Sequence, residues 1–210
     1  MSFRFPPTED IGVLFGRPEA LAVALYVRDA LGLPLTRFGA TARRLEPRVT
    51  PKKAADDPAI PGQWGQWWRE LLHETVPAVR ENTSVDYFGA LSEKEALREA
   101  AEPLLQPARE WFVAHRRPHD LVRRPGSTRA LVEGIARDEL GRRRRTALGK
   151  LLFLPLPLEG ASGYGVGRGS WIVTEALVAD FPAFESWLHV QMRFLASRGA
   201  GATSRRSGTG

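Results

Sequence analysis

Apolar and polar positions alternate with a helical period over most of this chain and change to a shorter texture near its end. The cleanest period lies at Trp64, Trp67, Trp68, Leu71, Leu72, Thr75, Val76 and Val79. Steps of three and four residues put these on one face, with Gln63, Gln66, Arg69, Glu70, Glu74 and Arg80 on the other, which predicts an amphipathic helix. Pro77 is expected to bend that helix or end it near 73–76, since it removes a hydrogen bond from the ladder. An earlier run, Ala20–Val27, is almost wholly apolar and predicts a helix buried on most sides. It opens at Pro18 and closes before Gly32 and Pro34. Ile11–Phe15 ahead of it reads as a short strand.

A third stripe, Leu97, Ala100, Ala101, Leu104, Leu105, Ala108, Trp111 and Phe112, follows Ser92 and Glu95. That pair has the spacing of a capping box. Pro103 and Pro107 within the stripe predict a kink or two shorter helices, and Arg117-Pro118 ends the run. A fourth helix is expected from about Thr128 to Arg143, with Leu131, Ile135, Ala136 and Leu140 inward.

Beyond it Leu151–Leu156 and Trp171–Thr174 read as strands, a pair able to form a hairpin around the glycine-dense 159–170. Asp180 is placed to cap a last helix with Pro182 in its first turn and Phe184, Trp187, Leu188, Met192 and Leu195 buried. The expected fold is therefore α+β: a helix-rich single domain over residues 1–196, with a small β-sheet built mainly from the C-terminal third. Residues 46–62, rich in proline and charge, are expected to form a mobile surface loop. Residues 197–210 are expected to form a disordered basic tail.

Composition narrows the function classes. The 210 residues include no cysteine, which excludes disulfides and thiolate chemistry and fits a reducing compartment. No apolar run approaches the roughly 20 residues of a membrane span, and the amino terminus lacks a signal-peptide pattern. A cytoplasmic protein without a membrane role is expected. Arginine outnumbers lysine 26 to 4, a bias that a GC-rich coding sequence produces without any functional cause.

Charge is distributed unevenly. Between Arg109 and Lys150 twelve bases face five acids, a net +7 in a chain whose total is +6. A local excess of this kind attracts an anionic surface. The candidate anion-binding residues are Arg116, Arg117, Arg123, Arg124, Arg142, Arg143, Arg144 and Arg145, arginine being the side chain that grips oxyanions with a two-pronged donor. The bland alternative is a solvated helix end.

Other motifs are weaker. Gly163, Gly165, Gly167 and Gly169 alternate, but neither the dinucleotide fingerprint nor a P-loop is present, since Leu151 follows Gly149-Lys150. His115 and His119 are four apart with Pro118 between them, a poor metal pair. Ser162 lacks a nucleophile elbow, and Asp56-Asp57 falls in the polar loop. The three clustered tryptophans read as core anchors. No cofactor or metal is expected.

The function expected from sequence is a non-catalytic intracellular interaction module whose basic face meets an acidic protein partner. The alternatives are non-specific nucleic-acid binding through the same arginines, and an enzyme or small-ligand protein with its pocket under the glycine-rich loop at 163–169.

Overall fold

The computed structural model describes residues 11–37, 39–52, 56–115, 125–140 and 148–198. Four strands form one mixed sheet: β1 (Gly12–Phe15), β2 (Lys150–Leu156), β3 (Gly163–Gly167) and β4 (Ser170–Thr174). Their order is β1-β2-β4-β3, with β1, β2 and β4 parallel and β3 antiparallel to β4. The fold is α+β, and three of the four strands come from the C-terminal third, as expected. The predicted hairpin is not the one formed. β2 and β4 are parallel neighbours, and the hairpin joins β3 to β4, so part of the glycine-dense segment is itself a strand.

The central strand β2 explains why its sequence reads as an unbroken apolar run. Leu151 and Phe153 enter one core and Leu152, Leu154 and Leu156 the other, because successive side chains leave opposite faces. Pro155 is tolerated in this strand for a geometric reason. The Leu152 N–H points to the β4 side, donating to Gly169, and the Phe153 carbonyl points to the β1 side, accepting from Gly16. The missing N–H of Pro155 therefore faces the β1 side, two residues past the last β1 pairing at Phe15.

On one face lie α1 (Glu19–Ala30), α2 (Ile60–Glu81) and α3 (Glu95–His115). On the other lie α4 (Pro125–Glu139), α5 (Glu175–Ala179) and α6 (Phe181–Arg198). Helix α1 is buried from Ala20 to Ala30, packed among the sheet, α2 and α3. The tryptophans of α2 are core anchors: Trp64 donates its indole N–H to the Ala24 carbonyl (2.8 Å) and Trp67 to that of Tyr87 (3.2 Å).

Several local expectations need correction. Helix α2 starts at Ile60, inside the expected 46–62 loop, because Asp57 accepts the Ala59 N–H and Pro61 fits a first turn. It also continues through Pro77 to Glu81, its apolar face holding the ladder where one bond is lost. Helix α3 likewise runs through Pro103 and Pro107. The Ser92 hydroxyl bonds back to the Gly89 carbonyl (2.8 Å) rather than capping α3. Gln63 of α2 caps it instead, accepting the Leu97 N–H at 2.8 Å. Segment 46–52 is tied down by Glu46 N–H to the Pro157 carbonyl and Lys52 N–H to that of Ala30. Asp180 does cap α6, through the Ala183 N–H (3.1 Å). Helix α6 includes Ser197 and Arg198, the first two residues of the expected tail, and residues 199–210 lie outside the described residues.

Candidate functional site

The eight candidate arginines, Arg116, Arg117, Arg123, Arg124 and Arg142–Arg145, lie outside the described residues, as does His119. Two described bases of the same stretch are engaged in the fold. Arg129 donates to the Val13 carbonyl at 3.1 Å, covering an acceptor on the outer edge of β1. Arg109 pairs with Glu19 at 3.2 Å and lies 5.6 Å over the Tyr87 ring. These two are therefore engaged within the fold.

Part of the glycine-rich segment is a packed strand. Gly163 lies in β3 against Trp187, where a Cβ would come 2.3 Å from the indole ring. Glycine is needed there for close packing, and among the described residues the cavities of about 630 Å³ and 540 Å³ are not lined by residues 163–169. His115 bonds its own helix through Nδ1 and the Trp111 carbonyl (2.8 Å) and packs on the Trp111 ring. Among the described residues no group of three His, Asp or Glu side chains could hold a metal ion. Nor is any helix among them long and apolar enough to cross a membrane.

One buried ionic cluster escaped the sequence analysis because it sits at the end of an apolar run. Arg28 and Asp29 of α1 are 0% and 1% exposed and pair at 2.7 Å. Arg28 also donates to the carbonyls of Thr41 (3.1 Å) and Arg43 (2.6 Å), and Asp29 accepts the Leu45 N–H (2.9 Å). Burial pulls the Arg28 pKa down, and the Asp29 charge and hydrogen bond oppose that pull. Both ions have partners, so the cluster fastens residues 41–45 onto α1.

Cavities of about 630, 540 and 430 Å³ lie among the described residues, and the first two are large enough to bear on function. The larger, about 630 Å³, has an apolar floor of Leu31, Ile60 and Leu104, with Lys52, Asp56, Asp57 and Glu99 around it. It borders residues 53–55, which are outside the described set. Asp57 already accepts the Ala59 N–H just ahead of α2.

The second cavity, about 540 Å³, is built by continuous described chain. Its walls come from the turn between β1 and α1 (Arg17–Ala20), the last turns of α2 (Thr75, Ala78, Val79), residues 83–88, and Arg109 of α3. The sequence explains why it opens there. The chain leaves β1 at Gly16, which is packed so closely that a Cβ would come 2.7 Å from Val79 and 2.8 Å from Leu154. It then enters α1 through Pro18, which offers no capping side chain. Asn82 turns the chain left-handed at the end of α2 (φ 57°), and residues 83–88 lead away from it.

The polar atoms of this wall divide into those with partners and those without. Glu19 is held by Arg109. Asp86 accepts the N–H groups of Phe88 (3.1 Å) and Gly89 (3.0 Å). Thr75 Oγ1 and the Tyr87 hydroxyl are buried, in residues only 2% and 6% exposed, and neither has a hydrogen-bond partner among the described residues. Buried polar atoms nearly always have one, so two exceptions on one cavity wall need an explanation. Burial raises the Tyr87 pKa above its ordinary value, more strongly than the Arg109 charge lowers it, so the phenol keeps its proton. The Arg17 side chain is exposed and has no partner among the described residues.

No family model, curated protein or solved structure matches this chain. The geometry of this cavity is therefore the basis for a functional reading.

Proposed function

We propose that the protein binds a small molecule in the cavity between the start of α1, the end of α2 and residues 83–88. The observation that carries this reading is the cavity itself, about 540 Å³ and walled in part by Thr75 and Tyr87, two residues whose buried hydroxyls have no partner among the described residues. A desolvated hydroxyl without a partner costs on the order of 1–3 kcal/mol, and a ligand that reaches it as the wall rearranges recovers that cost. The volume lies within the range of small-molecule sites, roughly 300–1,000 Å³. Binding is favoured over chemistry because both carboxylates of the wall are engaged, Glu19 by Arg109 and Asp86 by backbone N–H groups. Neither is placed as a free general base. The test is ligand-detected NMR with a fragment panel of anions, cations and neutral compounds. It compares the native protein with a Thr75→Val/Tyr87→Phe double variant. Hits that the double variant loses support the reading, and a panel without any variant-sensitive hit overturns it.

A second reading is favoured by the charge of the middle of the chain. The net +7 of 109–150 is concentrated in the eight arginines at 116–124 and 142–145, which suits an acidic protein partner, with nucleic acid as the alternative. Binding of a polyanion that falls steeply with salt and weakens when Arg142–Arg145 become alanine supports it. A salt-independent response would remove it.

A further inference from the structure

The two edges of the sheet are finished differently. On the outer edge of β1 the Val13 carbonyl is covered by the Arg129 guanidinium at 3.1 Å. At the other edge β3 is the last strand among the described residues. The Thr174 N–H donates to the Ser162 carbonyl (2.8 Å), and Tyr164 lies opposite Ile172 in the same phase. In an antiparallel pair, alternate residues turn their backbone groups to the same side. Ser162 and Tyr164 therefore face β4, and the N–H and C=O groups of Gly163 and Gly165 point outward. Open edges are commonly guarded by a charge, a proline or a bulge. Gly163–Gly167 holds no charge and no proline. Its bulge falls between Gly165 and Gly167, which leaves the edge straight at Gly163 and Gly165.

Helix α6 runs beside this edge. Trp187 rests on Gly163, and Gln191 accepts the Trp171 indole N–H at 3.3 Å. His189 and Arg193 instead bond Glu139 of α4. Val190 and Phe194, three and seven residues past Trp187, continue its stripe and are 60% and 48% exposed. Neither the edge strand nor this stripe carries a charged side chain.

We propose that a second copy of this chain covers both features. The two β3 strands pair antiparallel about a two-fold axis normal to the sheet and centred on Tyr164. Gly163 then faces Gly165 of the partner subunit, and the reverse, so the outward N–H and C=O groups of both glycines gain partners. The same axis keeps both copies of α6 on one face of the joined sheet. Since α6 lies over β3 and β4, the two helices are separated by about two strand spacings, roughly 10 Å, which is the distance of packed helices. A self-complementary contact sets residues near the axis against their own copies, so an uncharged surface suits it in a chain of net charge +6. An extended peptide would satisfy β3 and bring no helix to α6. A short strand edge alone is smaller than the roughly 800 Å² per partner of a stable interface, and the α6 stripe adds apolar area beside it. Dissociation in the micromolar range is expected.

Sedimentation equilibrium of the full chain across that range is the test. Native protein should approach twice the 23.3 kDa of one chain as concentration rises. Gly165→Lys guards the edge with a charge, and its new Cβ would meet only Trp171, at 4.0 Å. Val190→Glu sets a charge in the stripe at an exposed position. Each should weaken association by at least about a hundredfold, because like charges then oppose one another across the axis, with the circular dichroism spectrum unchanged. Hydrogen exchange reads the edge directly: the Gly163 and Gly165 amides should exchange slowly in concentrated native protein, and the Gly163 amide fast in both variants. A native chain that stays at 23.3 kDa throughout overturns the proposal. Slow edge amides in such a monomer would show β3 covered by a segment of its own chain, and fast ones would leave the edge to a different protein. A dimer that survives either variant overturns it as well, since another surface then holds the copies together.

Discussion

Removing the Tyr87 hydroxyl should make the free protein more stable. In most folds Tyr→Phe at a buried site costs stability, because the hydroxyl has a partner that is lost. Here the ring contacts are the ones that matter: Phe88 at 5.3 Å, and the Arg109 guanidinium at 5.6 Å. Phenylalanine preserves both contacts and deletes an oxygen that is buried without a partner. A desolvated, unsatisfied hydroxyl costs about 1–3 kcal/mol. Taking the lower end, Tyr87→Phe should raise the unfolding free energy by about 1 kcal/mol, or about 2–4 °C in Tm for a chain of this size. Thr75→Val, the same shape without the hydroxyl, should act in the same direction. The two changes share one cavity wall, so their sum need not be additive. The assay is equilibrium denaturation followed by fluorescence of the six tryptophans, with an unchanged denaturant slope as the check on a constant denatured state. A loss of about 1 kcal/mol on Tyr87→Phe would refute the reasoning, since it would mean the hydroxyl has a partner in the free protein. A gain in stability combined with loss of ligand binding is the signature of a site kept at the expense of the fold.

Three further outcomes follow from the packing and the ionisable groups. Arg28→Met should cost about 3–5 kcal/mol in denaturant unfolding, because it leaves Asp29 buried and frees the carbonyls of Thr41 and Arg43; a cost below about 1 kcal/mol would mean the cluster is not what fastens residues 41–45. Gly163→Ala should destabilise by about 1–3 kcal/mol, since the added Cβ would lie 2.3 Å from the Trp187 ring, and a neutral result by the same assay would show that the β3–α6 contact yields freely. Burial raises the pKa of both Tyr26 and Tyr87 above the usual 10.0, so the unfolded chain ionises first. Stability should be intact below that pH and fall as pH rises through the raised folded values. Tyrosinate absorbance should show late-titrating phenols, one of which disappears in Tyr87→Phe.

How far the sequence foretells this molecule depends on the range of the interaction responsible. Elements set by their own periodicity were legible: the one-sided face of α2, the wholly buried α1, the Asp180 cap of α6. So were the strand character of β2 and the inward placement of Trp64, Trp67 and Trp68. Expectations failed where a distant residue decides the outcome. Ser92 and Glu95 have the spacing of a capping box, but the first turn of α3 is satisfied by Gln63, more than thirty residues away. Pro77, Pro103 and Pro107 should interrupt helices on local grounds, but the packed stripes of α2 and α3 outweigh one missing bond in each ladder. The alternating glycines give no strand signal of their own, and the packing of Trp187 on Gly163 belongs to a strand that only the fold reveals.

The candidate site failed to register for the same reason. Arg17, Thr75, Tyr87 and Arg109 come from the β1–α1 turn, α2, the following segment and α3, so no spacing links them. Thr75 counted as part of an apolar stripe because a threonine at that position is ambiguous between packing and donating. What separates the two is whether its hydroxyl finds a carbonyl one turn back, which sequence cannot reveal. In the fold it finds none, and Tyr87, twelve residues later, shares that condition on the same wall. A polar atom left without a partner is a property of an arrangement and not of a residue. Sites of this kind become visible only when the accounting of donors and acceptors is done in three dimensions.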